Sequence, residues 1–126
     1  MILDMAKYNI LQEKSFAFAV RIVNLYKYLC DEKKEFVLSK QVLRFGTSIG
    51  ANIEEAIGGQ SDKDFLSKLS VSYKEARETT YWIKLLLATN YLLPEQADSL
   101  LQDASDICKI LAKIKITTTN KLSLNS

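Results

Sequence analysis

Lys63, Ser67, Ser70, Lys74, Arg77, Tyr81 and Lys84 follow one another at steps of 4, 3, 4, 3, 4 and 3. That spacing puts them on one face of an α-helix. The face carries four cations, two hydroxyls and one aromatic ring, with no acid on the row itself. From Lys74 to just past Lys84, about fourteen residues of helix span roughly 20 Å, enough to track several phosphates of a nucleic acid. Tyr81 adds a ring on which an exposed base can stack. The plainer reading is a lysine-rich solvated face, with Lys74 and Arg77 paired to Glu78 or Glu75.

The same segment holds a second chemistry. Glu75 and Glu78 share a face with Val71, Trp82 and Leu86, and a carboxylate pair among apolar residues can do acid–base work. The commoner role is structural, with the glutamates salt-bridged to Arg44 or another cation on a neighbouring helix. The chain has no histidine. That removes the commonest general base and metal ligand, and with it the Glu-x-x-His di-iron site that helical bundles build. Cys30 and Cys108 lack Cys-x-x-Cys spacing and fall among apolar neighbours, so they read as free thiols in a reducing compartment. Gly58-Gly59 is a helix stop rather than a phosphate loop. The expectation is no enzyme, with no catalytic residue, metal or cofactor.

A second polar row lies earlier, in RFGTSIGANIEEAIGGQS, residues 44 to 61. Arg44, Ser48, Asn52 and Glu55 follow at +4, +4 and +3 and share a face. Gly46 and Gly50 stand on another face, one turn apart, with Glu54 a further turn on. Glycine inside a helix costs about 1 kcal/mol relative to alanine. Two at this spacing point to a second backbone coming close. On this reading the glycines serve packing, and the polar row fixes the register of a helix pair or a subunit contact. The alternative is an ordinary solvent-exposed face.

Helices must hold these residues, and the rest of the chain supplies them. One proline and four glycines in 126 residues leave few turns for a sheet. Residues 13 to 31 carry two adjoining stripes, Phe16-Ala19-Val23-Tyr26-Cys30 and Phe18-Ile22-Leu25-Leu29, wider than one partner helix covers. Arg21, Asn24 and Lys27 are left for solvent, and DEKKE (31 to 35) reads as a solvated connector. A second helix runs from Ser39 as N-cap, through Phe45, Ile49, Ile53 and Ile57, to Gly58-Gly59. A third starts near Ser61 or Asp62, turns Phe65, Leu69, Tyr73, Ala76, Thr80, Ile83 and Leu87 inward, and ends near Asn90. The fourth opens with Pro94 and Glu95 and keeps Ala97, Leu100, Ala104, Ile107, Leu111 and Ile114 as its seam. Residues 1–12 and 117–126 are expected to fray. Short connectors between long helices give one domain over 1–126, an all-α, antiparallel up-down-up-down four-helix bundle. No stretch reads as a signal peptide or a membrane span, so a cytoplasmic protein is expected, without a membrane partner. The net charge of +2 neither demands nor excludes a polyanion.

Three blocks in order, RFGTSIGANIEEA, SDKDFLSKL and KEARETTYWIKLL, resemble the bacterial four-helix-bundle protein family, also described as the 23S ribosomal RNA intervening-sequence protein family. The resemblance covers about residues 14 to 112. Members share an Arg-x-x-x-Ser-Ile-x-x-Asn-Ile-x-Glu pattern, matched by Arg44, Ser48, Ile49, Asn52, Ile53 and Glu55. They share Lys-Glu-Ala-x-Glu-Thr-x-x-Trp, matched by Lys74, Glu75, Ala76, Glu78, Thr79 and Trp82. The resemblance implies a left-handed bundle that assembles into a ring, a homopentamer. A related protein, the accessory variability determinant of diversity-generating retroelements, is a nucleic-acid-binding partner of a reverse transcriptase. Many relatives end the second helix with arginines where this chain has Gly59 and Gln60, a departure that bears on nucleic-acid binding.

Together these readings give a non-enzymatic, oligomeric accessory factor that binds RNA, DNA or a nucleoprotein through Lys63, Lys74, Arg77, Tyr81 and Lys84. Single-stranded or structured RNA comes ahead of duplex DNA. The alternative is a structural adaptor that binds only protein. Phe16, Phe18, Tyr26, Tyr28 and Trp82 are more large rings than a small core hides, which also argues for a homo-oligomer.

Overall fold

Apolar side chains recurring at three- and four-residue steps fold the chain into four α-helices: α1 Ile2–Asp31, α2 Leu38–Ile57, α3 Asp62–Ala88 and α4 Pro94–Leu124. The computed structural model describes residues 2–124, and no strand occurs among them. α1 packs on α2, α2 on α3, α3 on α4 and α4 back on α1. The result is a four-helix bundle around one core. Phe18, Ile22 and Leu29 of α1 meet Val42, Ile49 and Ile53 of α2, Leu69, Ile83 and Leu86 of α3, and Ile107 and Leu111 of α4. Burial of each such side chain contributes about 1.5–3 kcal/mol.

Local chemistry sets most boundaries. The Ser61 hydroxyl caps α3 by accepting from the Asp64 N–H at 3.0 Å, and Asp62 and Asp64 stand in the first turn, where negative charge is favoured. Asn90 takes a left-handed conformation (φ 68°) and ends α3. Its N–H bonds the Leu87 carbonyl at 3.1 Å, and the Tyr91 N–H bonds the Leu86 carbonyl at 2.9 Å. Gly58 closes α2, and Pro94 opens α4.

Four expectations change. Ser39 is not an N-cap: it is buried inside α2, and the residue at the cap position, Val37, supplies no side-chain bond. The acceptor is Glu35, which is buried rather than solvated. Its Oε1 accepts from the N–H groups of Val37 (2.9 Å) and Leu38 (2.8 Å), and its Oε2 from that of Ser39 (2.7 Å). Residues 1–12, expected to fray, are helical from Ile2 on: Leu11 is 1% exposed and the Tyr8 ring lies 5.2 Å from that of Phe65. The tail likewise stays helical to Leu124, with Thr118 buried and Lys121 paired to Asp62 at 3.3 Å; Met1, Asn125 and Ser126 lie outside the described residues. Arg21, expected in solvent, pairs with Asp103 of α4 at 2.6 Å.

Candidate nucleic-acid interface

α3 presents its basic row to solvent because the opposite side of the helix, Leu69, Ser72, Ala76, Thr79, Ile83 and Leu86, is buried. Lys63, Lys74, Arg77 and Lys84 are exposed, as is Ser67, while Ser70 is half-buried. Tyr81 is 59% exposed, its ring edge-on to Trp82 at 5.2 Å. Among the described residues none of the four cations enters an ion pair; the pairs formed are Arg21–Asp103, Lys68–Glu55 and Lys121–Asp62. The pairing of Lys74 and Arg77 with Glu75 or Glu78 is therefore absent. Arg77, Tyr81 and Lys84 come together on a groove shared with Leu101, Ser105 and Cys108 of α4. Lys74 continues the face one turn away, and Lys63 lies about 16 Å further along the helix.

The sequence reading missed the α4 side of this surface. Leu101, Ser105 and Cys108 repeat at +4 and +3, and Lys115 one further step of seven places its Nζ 4.7 Å above the Tyr73 ring. The Cys108 thiol is free and half-buried; burial pushes its pKa up, against the lowering influence of the Arg77 guanidinium. Cys30 is also free and half-buried, with its Sγ 3.8 Å from the Ser39 hydroxyl.

The polar row of α2 runs along its seam with α3. Asn52 Nδ2 donates to the Ser48 carbonyl at 3.1 Å and to Glu75 Oε1 at 2.5 Å. The Ser48 hydroxyl donates to the Arg44 carbonyl at 2.7 Å, and Glu55 pairs with Lys68 at 3.3 Å. The row therefore joins a helix pair. The salt bridge from Arg44 to Glu75 or Glu78 does not form: Arg44 is exposed, its guanidinium 5.4 Å from the Phe45 ring centre, and Glu78 is exposed. Burial raises the Glu75 pKa against bonds from Asn52 and Ser48; Glu78 adds to the rise and Arg44 opposes it. Trp82 is half-buried on the same helix, and Thr79 is buried with its hydroxyl donating to the Glu75 carbonyl at 2.7 Å.

Both glycines face α1, but they differ in kind. A Cβ on Gly46 would lie 2.7 and 2.8 Å from Ile22 side-chain carbons, closer than atoms pack. A Cβ on Gly50 would meet the Ser15 carbonyl and hydroxyl at 3.5 Å, an ordinary contact. One turn on, Gln12 Nε2 donates to Glu54 Oε1 at 3.2 Å. The close approach is thus at Gly46, against a side chain, and Gly50 faces the α1 backbone with room for a methyl group.

Residues 7–113 match the family described as 23S rRNA-intervening sequence protein. A solved structure of a protein of unknown function, from the S23 ribosomal protein family of Bacteroides thetaiotaomicron, is 55% identical to the chain. That match covers 86% of this chain and 97% of the other, with a TM-score of 0.86. Among curated proteins nothing matches.

Proposed function

The chain belongs to the 23S rRNA-intervening sequence protein family, and from that premise we propose that it is a non-enzymatic, oligomeric accessory factor that binds nucleic acid along the solvent face of α3. One observation carries the reading: Lys63, Lys74, Arg77 and Lys84 are exposed on one helix face, unpaired among the described residues, beside the exposed ring of Tyr81. Cations without carboxylate partners exchange their counterions for phosphates at no cost in broken ion pairs. Such contacts are largely independent of sequence. Tyr81 favours single-stranded or structured RNA, whose bases can splay out, over duplex DNA.

Assembly belongs to the same proposal. Phe16 (72% exposed), Val20 (47%) and Val23 (37%) form an i, i+4, i+7 stripe on the outer side of α1. A stripe of that size asks for a partner, and a cyclic homo-oligomer, a pentamer by the family resemblance, supplies one. Each added copy repeats the α3 face, so a modest patch becomes a strong site. The up-down-up-down order is supported by contacts in which one partner's number rises as the other's falls. Ile22 and Gln12 meet Gly46 and Glu54, and Tyr73 and Asp62 meet Lys115 and Lys121. Two free thiols suit a reducing cytoplasm. Among the described residues no helix is long and apolar enough to cross a membrane.

Fluorescence anisotropy with a labelled RNA of ~30 nucleotides tests the reading. Four phosphates neutralised per protomer predict roughly a fiftyfold loss of affinity between about 50 and 200 mM salt. Lys74→Glu/Arg77→Glu is expected to abolish most of the low-salt binding. No binding at low salt, or equal binding by the charge-reversed protein, would hand the lead to an adaptor that binds only protein.

A further inference from the structure

We propose that the groove between α3 and α4 seats one nucleotide of a bound single strand, its base stacked on Tyr81 and its flanking phosphates met by Arg77 and Lys84. The inference rests on the nucleic-acid reading above and names the place on the fold where a base is held. The groove encloses about 540 Å³, within the range of small-ligand sites, roughly 300–1,000 Å³. Arg77 and Lys84 are seven residues apart, roughly 10 Å along the helix axis, with Tyr81 between them. The order cation, ring, cation matches the order phosphate, base, phosphate along a strand.

The remaining walls suit the same occupant. Leu101 gives an apolar surface, and the Ser105 hydroxyl can donate to or accept from a base edge. Among the described residues no carboxylate lines the groove. Lys115, over the Tyr73 ring at 4.7 Å, adds positive charge beside it. An inorganic anion would use the cations and leave the ring idle. A nucleotide uses both, through charge on one side and ring stacking on the other. Cys108 lines the groove from α4 and turns occupancy into a measurable event, because a seated base shields its thiol.

The test uses the intact protein and an unstructured, uridine-rich RNA of ~30 nucleotides at low salt. Alkylation of each cysteine by N-ethylmaleimide is followed by peptide mass spectrometry, with Cys30, on α1 beside Ser39, as internal reference. RNA is expected to slow Cys108 alkylation several-fold and leave Cys30 unchanged. Tyr81→Ala is expected to weaken RNA binding about 5- to 150-fold, the loss of one stacked base, and Tyr81→Phe to retain it. RNA bound by anisotropy, with Cys108 labelling unchanged and Tyr81→Ala at wild-type affinity, overturns the groove and leaves the α3 reading standing. No RNA binding at low salt overturns both. If adenosine monophosphate at the same nucleotide concentration protects Cys108 equally well, the pocket serves free mononucleotides and the strand proposal falls.

Discussion

Gly46 and Gly50 show how two identical residues on one helix face carry opposite instructions. A methyl group at Gly46 drives into Ile22, a fully buried side chain with no room to yield. Overpacking of this kind costs about 1–3 kcal/mol, against about 1 kcal/mol recovered from helix propensity. At Gly50 the added methyl meets Ser15 at 3.5 Å, so the propensity gain stands. Thermal melts should therefore show Gly46→Ala below wild type and Gly50→Ala above it by up to about 1 kcal/mol; the same sign for both would discard the steric account. Glu75 offers a second test at one residue. Its folded pKa is raised, chiefly by burial, so its stabilising contribution is full below the ordinary carboxylate value and is lost as pH rises through the folded value. Glu75→Gln keeps an oxygen for Asn52 and removes the half-buried charge. It is expected to raise the melting temperature at pH 7, with the advantage fading near pH 4.

At the start of α2 the stabilising group comes from outside the helix. Burial alone would raise the Glu35 pKa, but the N–H groups of Leu38, Ser39 and Val37 and the Ser39 hydroxyl outweigh it and hold the carboxyl below its ordinary value. A depressed pKa gives stability that is present above the unfolded value, about 4.3, and lost as pH falls through the folded value. Glu35→Ala should therefore cost about 1.5–3 kcal/mol at pH 7, the range for hydrogen bonds to a charged group. Urea midpoints of variant and wild type should converge as the pH falls through the folded value, and a gap independent of pH would mean that packing rather than charge is lost. Nothing in DEKKE announces this, because a carboxylate becomes a cap only when the next helix aims its N–H groups at it. By contrast the α4 seam, the start of α3 near Ser61 or Asp62 and the Gly58 and Pro94 boundaries were legible, since each depends on neighbours in sequence. The Tyr8-Leu11-Ser15-Phe18 rhythm of early α1 was obscured by a serine at a buried position whose reason, Gly50, lies on another helix. The basic face of α3 was readable from spacing. The groove was not, because pairing Arg77 and Tyr81 with Ser105 and Cys108 depends on the register between two helices, which neither periodicity contains.

For the whole molecule, the Phe16-Val20-Val23 stripe lies on the outer side of α1 and the basic row on the solvent face of α3, and the ring contact between the two helices, Tyr8 with Phe65 at 5.2 Å, includes no residue of either surface. The proposed assembly surface and the proposed nucleic-acid surface can therefore be altered separately. Phe16→Glu/Val20→Glu puts charge into the exposed stripe of α1 without entering the core, so each protomer is expected to fold with an unchanged melting profile in dilute solution. Wild-type protein is expected to elute with a light-scattering mass several times 14.3 kDa, and the variant at the mass of one chain. Linked sites gain about 10²–10⁴ in affinity over single ones, so the monomeric variant should bind RNA more weakly by a factor in that range, although every residue of its α3 face is intact. Its salt dependence should also flatten, since one protomer neutralises fewer phosphates than a ring. A wild-type monomer at micromolar concentration would remove the assembly proposal. A dissociated variant that keeps full affinity would show that one α3 face suffices, and that oligomerisation serves a purpose other than avidity.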